Sequence, residues 1–168
     1  MSTKAHKARA VKSVNVAILS VSSTRSLGDD KSGHWIKKQV EKKGHTVIYH
    51  DVVPDHKDGI ANAVNRILEI HTPHAILMSG GTGISPRDVT IEAVKPMFSK
   101  ELTAFGALFS MLSYEEIDSA ALLSRATAGL IGQTVVFCMP GSLKACKLAC
   151  QDLIIPELGH LVKHALEG

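Results

Sequence analysis

A loop rich in hydrogen-bond donors follows a short apolar run near the middle of the chain. The apolar run is Ala75–Leu77, and the loop, MSGGTGISPRDVT, spans Met78–Thr90. Glycines let a backbone approach a ligand closely, while backbone N–H groups and hydroxyls donate hydrogen bonds to phosphate. The GGTG sequence consists of Gly80, Gly81, Thr82 and Gly83, and Asp88 follows it. This pattern favours an anionic ligand.

Two familiar phosphate-binding motifs are absent from the sequence. It has no G-x-x-x-x-G-K-[ST], which excludes a P-loop nucleoside triphosphatase. The GGTG sequence also differs from the G-x-G-x-x-G of dinucleotide-binding folds, and the loop after the first predicted strand lacks that motif too. A phosphate-binding loop in this chain would therefore belong to another class of protein.

Three further loops that leave predicted strands carry hydroxyl groups, glycine or aspartate. They span Ser20–Arg25, Pro54–Asp58 and Pro140–Ser142, and Asp29 and Asp30 follow the first of them. Ligands of open α/β sheets bind outside the carboxyl ends of the strands, so we expect the four loops to form one site. The candidate residues in these three loops are Ser20, Ser22, Asp55, Pro140, Gly141 and Ser142.

Each of these residues also has a purely structural interpretation. Small polar residues before a helix commonly cap its first turn, and glycines form tight turns without any ligand. The residues open to a capping role are Asp55, Asp58, Asp88, Thr90 and Ser142. Four polar loops at one edge of a sheet favour a site, but capping stays open for each residue taken alone.

The hydrophobic pattern predicts strands that alternate with helices. Short apolar runs predict strands at Val14–Ser20, Thr46–Val53, Ala75–Met78 and Thr134–Met139. Helical spacing of apolar residues predicts helices at Gly33–Lys43, Ile60–Ile70, Ile91–Met97, Leu102–Leu112, Leu143–Leu153 and Pro156–Leu166, with a polar break from Tyr114. Strands that are apolar on both faces indicate a parallel sheet covered by helices on both sides, which is an α/β fold.

Length and composition predict one soluble domain. The chain has 168 residues, of which 45% are hydrophobic, and no apolar run is long enough to cross a bilayer. We therefore expect an intracellular, cytoplasmic protein without a membrane partner. The domain is predicted to span residues 14–168, since residues 1–13 hold four basic residues and no acidic one. Those thirteen residues are predicted to form a disordered tail.

The positive charge of the chain is concentrated in that tail. The net charge is +3, from 19 Lys and Arg and 16 Asp and Glu. Lys4, Lys7, Arg9 and Lys12 lie in the tail, which leaves 15 basic residues in the domain against 16 acidic ones. A nucleic-acid-binding arm is the alternative to a frayed terminus. No basic face continues into the domain, so no nucleic-acid partner is predicted.

The cysteines and paired histidines indicate neither a disulfide framework nor a zinc site. The three cysteines are an odd number without framework spacing. Cys146 and Cys150 lie one helical turn apart, but no second Cys/His pair completes a zinc set. His160 and His164 also lie one turn apart, and we interpret them as solvated helix residues.

Three segments of the sequence resemble the MoaB/Mog family of molybdenum cofactor biosynthesis proteins. They are MSGGTGISPRDVT, FGALFSMLSYEEIDSAALLSRATAG and MPGSLKACKLA, which occur in the order and spacing of that family. The resemblance extends from about Val14 to about Pro156. It implies a three-layer α/β/α sandwich with a mostly parallel, Rossmann-like sheet. It also implies a homo-oligomer, either a trimer or a hexamer. Leu102–Ile117 is the candidate subunit contact because it is rich in apolar residues, and packing within the subunit is the alternative.

The resemblance also implies a reaction, molybdopterin adenylyl transfer. AMP is transferred from Mg-ATP to the terminal phosphate of molybdopterin, and pyrophosphate is released. Molybdopterin is thus the implied substrate, ATP the implied co-substrate and Mg²⁺ the implied cofactor. The molybdenum-insertion protein of the same pathway is the implied partner.

The same resemblance assigns roles to the candidate residues. Some MoaB proteins lack the aspartate after GGTG, whereas this chain keeps Asp88 and matches the second acidic position of active members with Asp55. Asp55 and Asp88 are therefore the implied catalytic residues, and we expect them to hold Mg²⁺ and the triphosphate. The glycine loop and the serines would bind the substrates. Ser124 and Arg125 match the SRA segment, and Arg125 could hold an anion or form a structural ion pair.

Two other functions stay open from the sequence. The domain could bind molybdopterin or its adenylylated form as a non-catalytic carrier or scaffold, although both aspartates argue against that. It could also hydrolyse a related nucleotide, since similar domains are fused to pyrophosphate-cleaving enzymes. ATP turnover that requires molybdopterin would separate adenylyl transfer from both.

Overall fold

The computed structural model describes residues 10–167, which are arranged around a six-stranded sheet. The strands are β1 (Asn15–Val21), β2 (Thr46–Val53), β3 (Ala75–Ser79), β4 (Lys100–Glu101), β5 (Thr127–Ile131) and β6 (Thr134–Met139). Their order across the sheet is β2-β1-β3-β6-β5-β4. The first four in that order are parallel, whereas β5 and β4 are antiparallel to their neighbours. The predicted mostly parallel sheet is confirmed.

Helices connect the strands and cover both faces of the sheet. The α-helices are α1 (Lys31–Lys42), α2 (Lys57–His71), α3 (Thr90–Val94), α4 (Thr103–Ile117), α5 (Leu143–Leu148) and α6 (Ile155–Leu166). Short 3-10 helices occur at Leu27–Asp29, Lys95–Met97 and Asp118–Leu123, and a π-helical turn at Ala149–Ile154 joins α5 to α6. Across residues 10–167, no helix has the length and apolar character needed to cross a membrane.

Alternate residues of the central strands pack into two apolar clusters, one on each face. On one face, Ile18 packs with Ile36 of α1 and Phe109 of α4. On the other face, Leu19 packs with Val64 of α2. Because successive side chains of a strand point to opposite faces, one apolar strand serves both clusters. The result is the three-layer α/β/α sandwich that the resemblance implied.

Strands β4 and β5 and the end of α4 differ from the sequence-based prediction, and β4 is a two-residue strand that was not predicted. Strand β5 was not predicted, because Gly129 weakens its strand signal. The ring of Phe98 takes the space that a side chain at Gly129 would fill, so packing and pairing with β6 define this strand. The predicted polar break is also wrong, since α4 continues through Tyr114–Glu116. Those residues are polar because they lie on the exposed side of the helix.

The chain joins the domain earlier than predicted. Lys4, Lys7 and Arg9 of the predicted tail lie outside the described residues. The N–H of Val11 donates to the carbonyl of Gly159 on α6 at 3.1 Å. The Val11 side chain packs against the cluster that contains Ile18. Val11 is therefore attached to the domain, although it precedes the predicted boundary at Val14.

Candidate functional site

The loops after β1, β3 and β6 meet at one edge of the sheet. β1 pairs with β3 and β3 pairs with β6, all in parallel, so their carboxyl ends lie side by side. Ser20 of β1 is opposite Ser79 of β3, which in turn is opposite Met139 of β6. The chain passes from one side of β1 to the other between β2 and β3. This edge is therefore the switch point of the sheet, where open α/β folds bind ligands.

The loop after β3 turns sharply because it begins with two glycines in the left-handed region. The φ angle is +97° at Gly80 and +65° at Gly81, values that L side chains rarely adopt. A Cβ at Gly80 would also lie 2.3 Å from the carbonyl oxygen of Val21. The turn therefore needs glycine, and it holds the loop backbone against the end of β1.

Two residues anchor this loop by donating hydrogen bonds to its backbone carbonyls. The first is Thr90, which donates from its hydroxyl and its N–H, and the second is Arg125, which donates from its Nε. The Thr90 hydroxyl donates to the carbonyl of Gly80 at 2.8 Å, and the Thr90 N–H donates to the carbonyl of Gly81 at 2.9 Å. Arg125 Nε donates to the carbonyls of Thr82 and Gly83, at 3.0 Å each. The carbonyl side of the loop is thus bound to the protein.

Four successive N–H groups of the same loop have no hydrogen-bond partner in the described chain. Gly81, Thr82, Gly83 and Ile84 donate to no acceptor within residues 10–167. Successive N–H groups that are free to point the same way form an anion-binding concavity. The loop is therefore polarised, with its carbonyls engaged by protein donors and its N–H groups available for an anion.

Arg125 acts as an anchor and not as a free anion ligand. Its Nη1 and Nη2 pair with the two carboxylate oxygens of Glu92, at 2.5 and 3.3 Å, and Nη2 also reaches the carbonyl of Asp88 at 3.4 Å. The hydrogen bond to Glu92 raises the pKa of Arg125, and the same bond lowers the pKa of Glu92. Of the two roles that the sequence left open, the structural ion pair is the one observed.

Thr82 adds a buried hydroxyl to the loop. Its side chain is 1% exposed, and its Oγ1 has no hydrogen-bond partner among the described residues. Leaving a buried hydroxyl without a partner costs roughly 1–3 kcal/mol. The Thr82 hydroxyl is therefore a buried polar group without a partner in the described chain, in the same segment as the unpaired N–H groups.

Two carboxylates border the glycine loop. Asp55 Oδ2 accepts from the N–H and hydroxyl of Ser23, at 2.8 and 2.9 Å, and Asp88 Oδ2 accepts from the N–H of Ser85 at 2.9 Å. The second oxygen of each carboxylate has no hydrogen-bond partner in the described chain. A Cβ on Gly81 would lie 3.4 Å from Asp55 Oδ1, and a Cβ on Gly83 would lie 2.7 Å from Asp88 Oδ2.

Neither aspartate caps a helix. His56 caps α2, with its Nδ1 accepting from the N–H of Gly59 at 3.3 Å. Val89 occupies the cap position of α3 and makes no side-chain bond there, while the Thr90 hydroxyl is bound to the loop. The capping alternative is therefore wrong for Asp55, Asp88 and Thr90. Each aspartate keeps one carboxylate oxygen for another role.

The two carboxylates fit Mg²⁺ that arrives with a nucleotide. Mg²⁺ is commonly held by one or two protein carboxylates together with substrate phosphates. Asp55 and Asp88 each have one oxygen without a hydrogen-bond partner in the described chain, beside the glycine loop. No cluster of three or more His, Cys, Asp or Glu side chains suited to a metal occurs in the part of the chain that is described. A site of this kind matches Mg²⁺ better than a closed zinc site.

The predicted serines of the β1 and β6 loops are used within the protein. Ser20 is buried and donates to Asp30 Oδ2 at 2.6 Å. Ser22 accepts from the N–H groups of Thr24 and Arg25, at 3.4 and 3.3 Å. Ser142 caps α5 by accepting from the N–H of Ala145 at 3.1 Å, as the structural interpretation predicted. The Ser20 hydroxyl is thus engaged as a donor within the protein, whereas those of Ser22 and Ser142 accept hydrogen bonds that shape their loops.

The other predicted residues lie around the glycine loop. A Cβ at Gly141 would be 3.0 Å from the Cα of Gly80, so the Pro140–Ser142 loop packs against the turn. A cavity of about 140 Å³ lies between α4 and α5, with Ser124 and Ser142 in its lining. Arg125 follows Ser124 directly, which places this cavity near the anchor of the loop.

Sequence reasoning missed three residues that complete the site. Ser23 holds Asp55, Glu92 neutralises Arg125, and Asp30 binds the Ser20 hydroxyl. The Arg125–Glu92 pair joins residues 33 positions apart, and no local pattern marks it. For Asp30, the sequence Asp30–Gly33 (DKSG) before a helical pattern was a usable capping signal.

Comparison with known proteins identifies the relatives of this chain. The family model described as a probable molybdopterin binding domain matches residues 17–160. Molybdenum cofactor biosynthesis protein B of Bacillus subtilis (strain 168) is 48% identical over 164 residues, which is 97% of this chain and 96% of that protein. A protein of Methanocaldococcus jannaschii named probable molybdopterin adenylyltransferase is 39% identical over 165 residues, which is 94% of this chain and 98% of that protein.

The fold comparison agrees with the sequence comparison. A crystal structure of molybdenum cofactor biosynthesis protein B superimposes with a TM-score of 0.91 at 44% identity. The match covers 95% of this chain and 100% of that chain. That crystal structure therefore has the same fold as this chain over 95% of the chain's length.

Proposed function

This chain belongs to the family of probable molybdopterin-binding domains, and we propose that it acts in molybdenum cofactor biosynthesis as a molybdopterin adenylyltransferase. It would transfer AMP from ATP to the terminal phosphate of molybdopterin and release pyrophosphate. The name of the Methanocaldococcus jannaschii relative supports this activity. The name of the Bacillus subtilis relative supports the pathway.

The observation that carries the proposal is the polarised glycine loop with a carboxylate on either side. The unpaired N–H groups of Gly81–Ile84 suit a phosphate chain, and Asp55 and Asp88 suit its cation. A site that only bound the pterin would have no use for both features. The combination therefore favours nucleotide chemistry over a carrier.

The proposed reaction is a displacement at the α-phosphorus of ATP. A phosphate oxygen of molybdopterin forms a bond to that phosphorus, and the bond from the phosphorus to the oxygen that bridges to the β-phosphate breaks. A phosphate monoester is mostly dianionic at neutral pH, because its second pKa is about 6. The nucleophile thus needs no general base, and the aspartates are free for another task.

That task is to offset the charge of two approaching anions. When bound between Asp55, Asp88 and the triphosphate, Mg²⁺ would neutralise phosphate charge and stabilise the departing pyrophosphate. The loop N–H groups would hold the phosphate oxygens in a fixed orientation, and Arg125 would keep those N–H groups facing the ligand. Positioning and charge neutralisation are the main contributions of proteins to phosphoryl-type transfer.

We propose that the protein works as a homo-oligomer, either a trimer or a hexamer. Helix α4 and the 3-10 helix after it expose an apolar surface, and Leu122 is 83% exposed. The exposed residues are Leu108, Met111, Tyr114, Ile117, Leu122 and Leu123. Large exposed apolar patches mark protein contacts. The adenylylated product would then pass to the metal-insertion protein of the pathway.

Pyrophosphate release from Mg-ATP, with and without molybdopterin, tests the proposal. We expect release only when molybdopterin is present, with adenylylated molybdopterin as the second product. Tight molybdopterin binding without pyrophosphate release would contradict the transferase and favour a carrier. ATP cleavage without molybdopterin would instead favour a nucleotide hydrolase.

A further inference from the structure

The Asp30 carboxylate lies at the centre of a buried hydrogen-bond network beside the site. Its Oδ2 accepts from the Ser20 hydroxyl at 2.6 Å and contacts His50 Nε2 at 2.8 Å. Its Oδ1 accepts from the N–H of Gly33 at 3.0 Å, which caps helix α1. Asp30 and the His50 side chain are 1% and 8% exposed. The network thus ties together β1, β2 and the start of α1.

The carboxylate is held in its ionised form. Burial raises the pKa of Asp30, but hydrogen bonds from His50, Ser20 and Gly33 outweigh that effect and bring the pKa to about 2. A buried carboxylate that accepts several hydrogen bonds is fixed in orientation as well as in charge. Asp30 is therefore a rigid acceptor at physiological pH.

The packing around Asp30 leaves no room for a residue larger than glycine at position 33. A Cβ at Gly33 would lie 2.0 Å from Asp30 Oδ2 and 2.4 Å from His50 Nε2. The rings of His34 and His50 meet edge to face, with centroids 5.1 Å apart. Glycine at position 33 lets the carboxylate and the imidazole approach the helix backbone.

Two contacts connect this network to the phosphate-binding loops. The Ser20 hydroxyl lies 3.1 Å from the hydroxyl of Ser79, the last residue of β3 before the glycine loop. Ser32, in the first turn of the helix that Asp30 caps, donates to the carbonyl of Gly141 at 2.9 Å. One carboxylate thus fixes the root of the β3 loop and, through the first turn of α1, the β6 loop.

We propose that Asp30 is a positioning residue for the phosphate-binding site, with His50 and Ser20 as its partners. It touches no substrate in this account, because its oxygens are engaged by protein donors. It acts by setting the Gly80–Ile84 loop at a fixed distance from Gly141. The inference rests on the proposed function, since it assigns the network a purpose in that same site.

Mg²⁺-pyrophosphate binding to the full-length protein tests this inference, measured by calorimetry well below the unfolding temperature of each variant. We expect Asp30→Asn to weaken the affinity about tenfold, since small displacements of binding groups have effects of this order. In Asp30→Asn, the side-chain NH2 group would face Ser20 and His50. Because both of these groups donate to the carboxylate in the wild type, a donor would then face a donor. The matched control is Asp29→Asn, because Asp29 is exposed and its side chain binds only Ser26 among residues 10–167. The control should stay within about twofold of the wild type.

A second pair of variants covers the case in which Asp30→Asn does not fold. His50→Phe removes the ring N–H, whereas His50→Gln keeps a donor toward Asp30. We expect His50→Phe to weaken pyrophosphate binding and His50→Gln to restore most of it. A stabilising role alone would lower the unfolding temperature of both without this difference in affinity. Folded Asp30→Asn, Ser20→Ala or His50→Phe with wild-type affinity would overturn the inference.

The measurement also separates this inference from the proposed function. Pyrophosphate binding does not require adenylyl transfer. Wild-type protein that binds pyrophosphate but shows no molybdopterin-dependent turnover would refute the transferase alone. Variants that bind like a turnover-competent wild type would refute the positioning role alone.

Discussion

The two ends of the sheet differ in how their polar groups are used. At the carboxyl end, the N–H groups of Gly81–Ile84 and one oxygen each of Asp55 and Asp88 have no partner among the described residues. At the amino end, a cavity of about 340 Å³ is lined by the loop before β3 and the β5–β6 turn. Several polar groups of its lining are hydrogen-bonded within the protein, among them the Thr134 hydroxyl and the backbone of His74.

His74 illustrates the amino end. Its N–H donates to the carbonyl of Asn15 at 2.9 Å, and its Nδ1 accepts from the N–H of Asn15 at 3.0 Å. Its carbonyl accepts from the N–H of Val135 at 3.0 Å, and the Thr134 hydroxyl donates to the carbonyl of Pro73 at 2.7 Å. These bonds hold three strands in register, so the residues serve the fold.

We assign the proposed site to the carboxyl end because of the successive unpaired N–H groups of Gly81–Ile84, and not because of cavity volume. The amino-end cavity is larger than the cavity of about 140 Å³ beside Ser142. A ligand there would have to compete with existing hydrogen bonds. At the carboxyl end, the loop carbonyls are anchored so that the N–H groups stay free.

Asp88→Asn should have the largest effect on activity. The amide keeps the size of the side chain but loses the charge, so we expect turnover to fall by about 100-fold or more, as for a lost electrostatic contact. Molybdopterin binding should be largely unchanged. Initial rates of pyrophosphate release provide the measurement, and Asp58→Asn on the exposed first turn of α2 is the control. Normal turnover by Asp88→Asn would refute its assignment to the cation and triphosphate.

As the pH falls, the amino end of the sheet should lose its stabilising contribution from His45 before the carboxyl end loses that from Asp30. Burial lowers the pKa of His45, whose Nδ1 accepts from the N–H of Val14 at the amino end. The unfolded chain binds the proton more readily, so stability falls as the pH drops below about 6.5. The pKa of Asp30 is about 2, below its usual 3.8, so its contribution is intact above about pH 4.

The Asp30 contribution, roughly 2 kcal/mol, should be lost only as the pH falls from about 4 toward 2. Site-resolved NMR titration of the His45 ring and the Asp30 carboxyl measures both groups. An Asp30 carboxyl that titrates at its usual 3.8 would show that the network is not formed in solution.

Arg125→Lys should weaken nucleotide binding about tenfold, equivalent to roughly 1.4 kcal/mol. Lysine keeps the charge but cannot hold Glu92 and the carbonyls of Thr82 and Gly83 with one planar fork. Calorimetry with Mg-ATP measures the effect, and Arg66→Lys on the exposed face of α2 is the matched control. Equal affinity in both variants would mean that the loop holds its shape without Arg125.

Matched threonine variants compare the two ends most closely. Thr90→Val and Thr134→Val each remove one buried hydroxyl that donates to a backbone carbonyl. Each should lower the free energy of unfolding by about 1 kcal/mol, measured by urea denaturation. Only Thr90→Val should also weaken Mg²⁺-pyrophosphate binding, by about fivefold. A similar loss of affinity in Thr134→Val would remove the distinction between the ends.

Local patterns predicted β1, β2, β3, β6 and the six α-helices, because these depend on periodicity, and they predicted that the loops after parallel strands share one edge of the sheet. Asp55 and Asp88 were predicted as functional, and their free oxygens beside the glycine loop are consistent with that prediction. The roles of Arg125 and Ser20 could not be predicted, since their partners Glu92 and Asp30 lie on other elements. Strand β5 was missed because its pairing with β6 and the packing of Phe98 outweigh a weak local signal.

The most direct test of the polarised loop is an amide NMR titration of the wild-type protein with Mg-ATP. The account predicts that the N–H resonances of Gly81, Thr82, Gly83 and Ile84 shift, because they gain phosphate acceptors. Those of Gly132 and Gln133, at the amino end, should stay in place. Saturable shifts at the amino end with none at Gly81–Ile84 would contradict the assignment of the phosphate site.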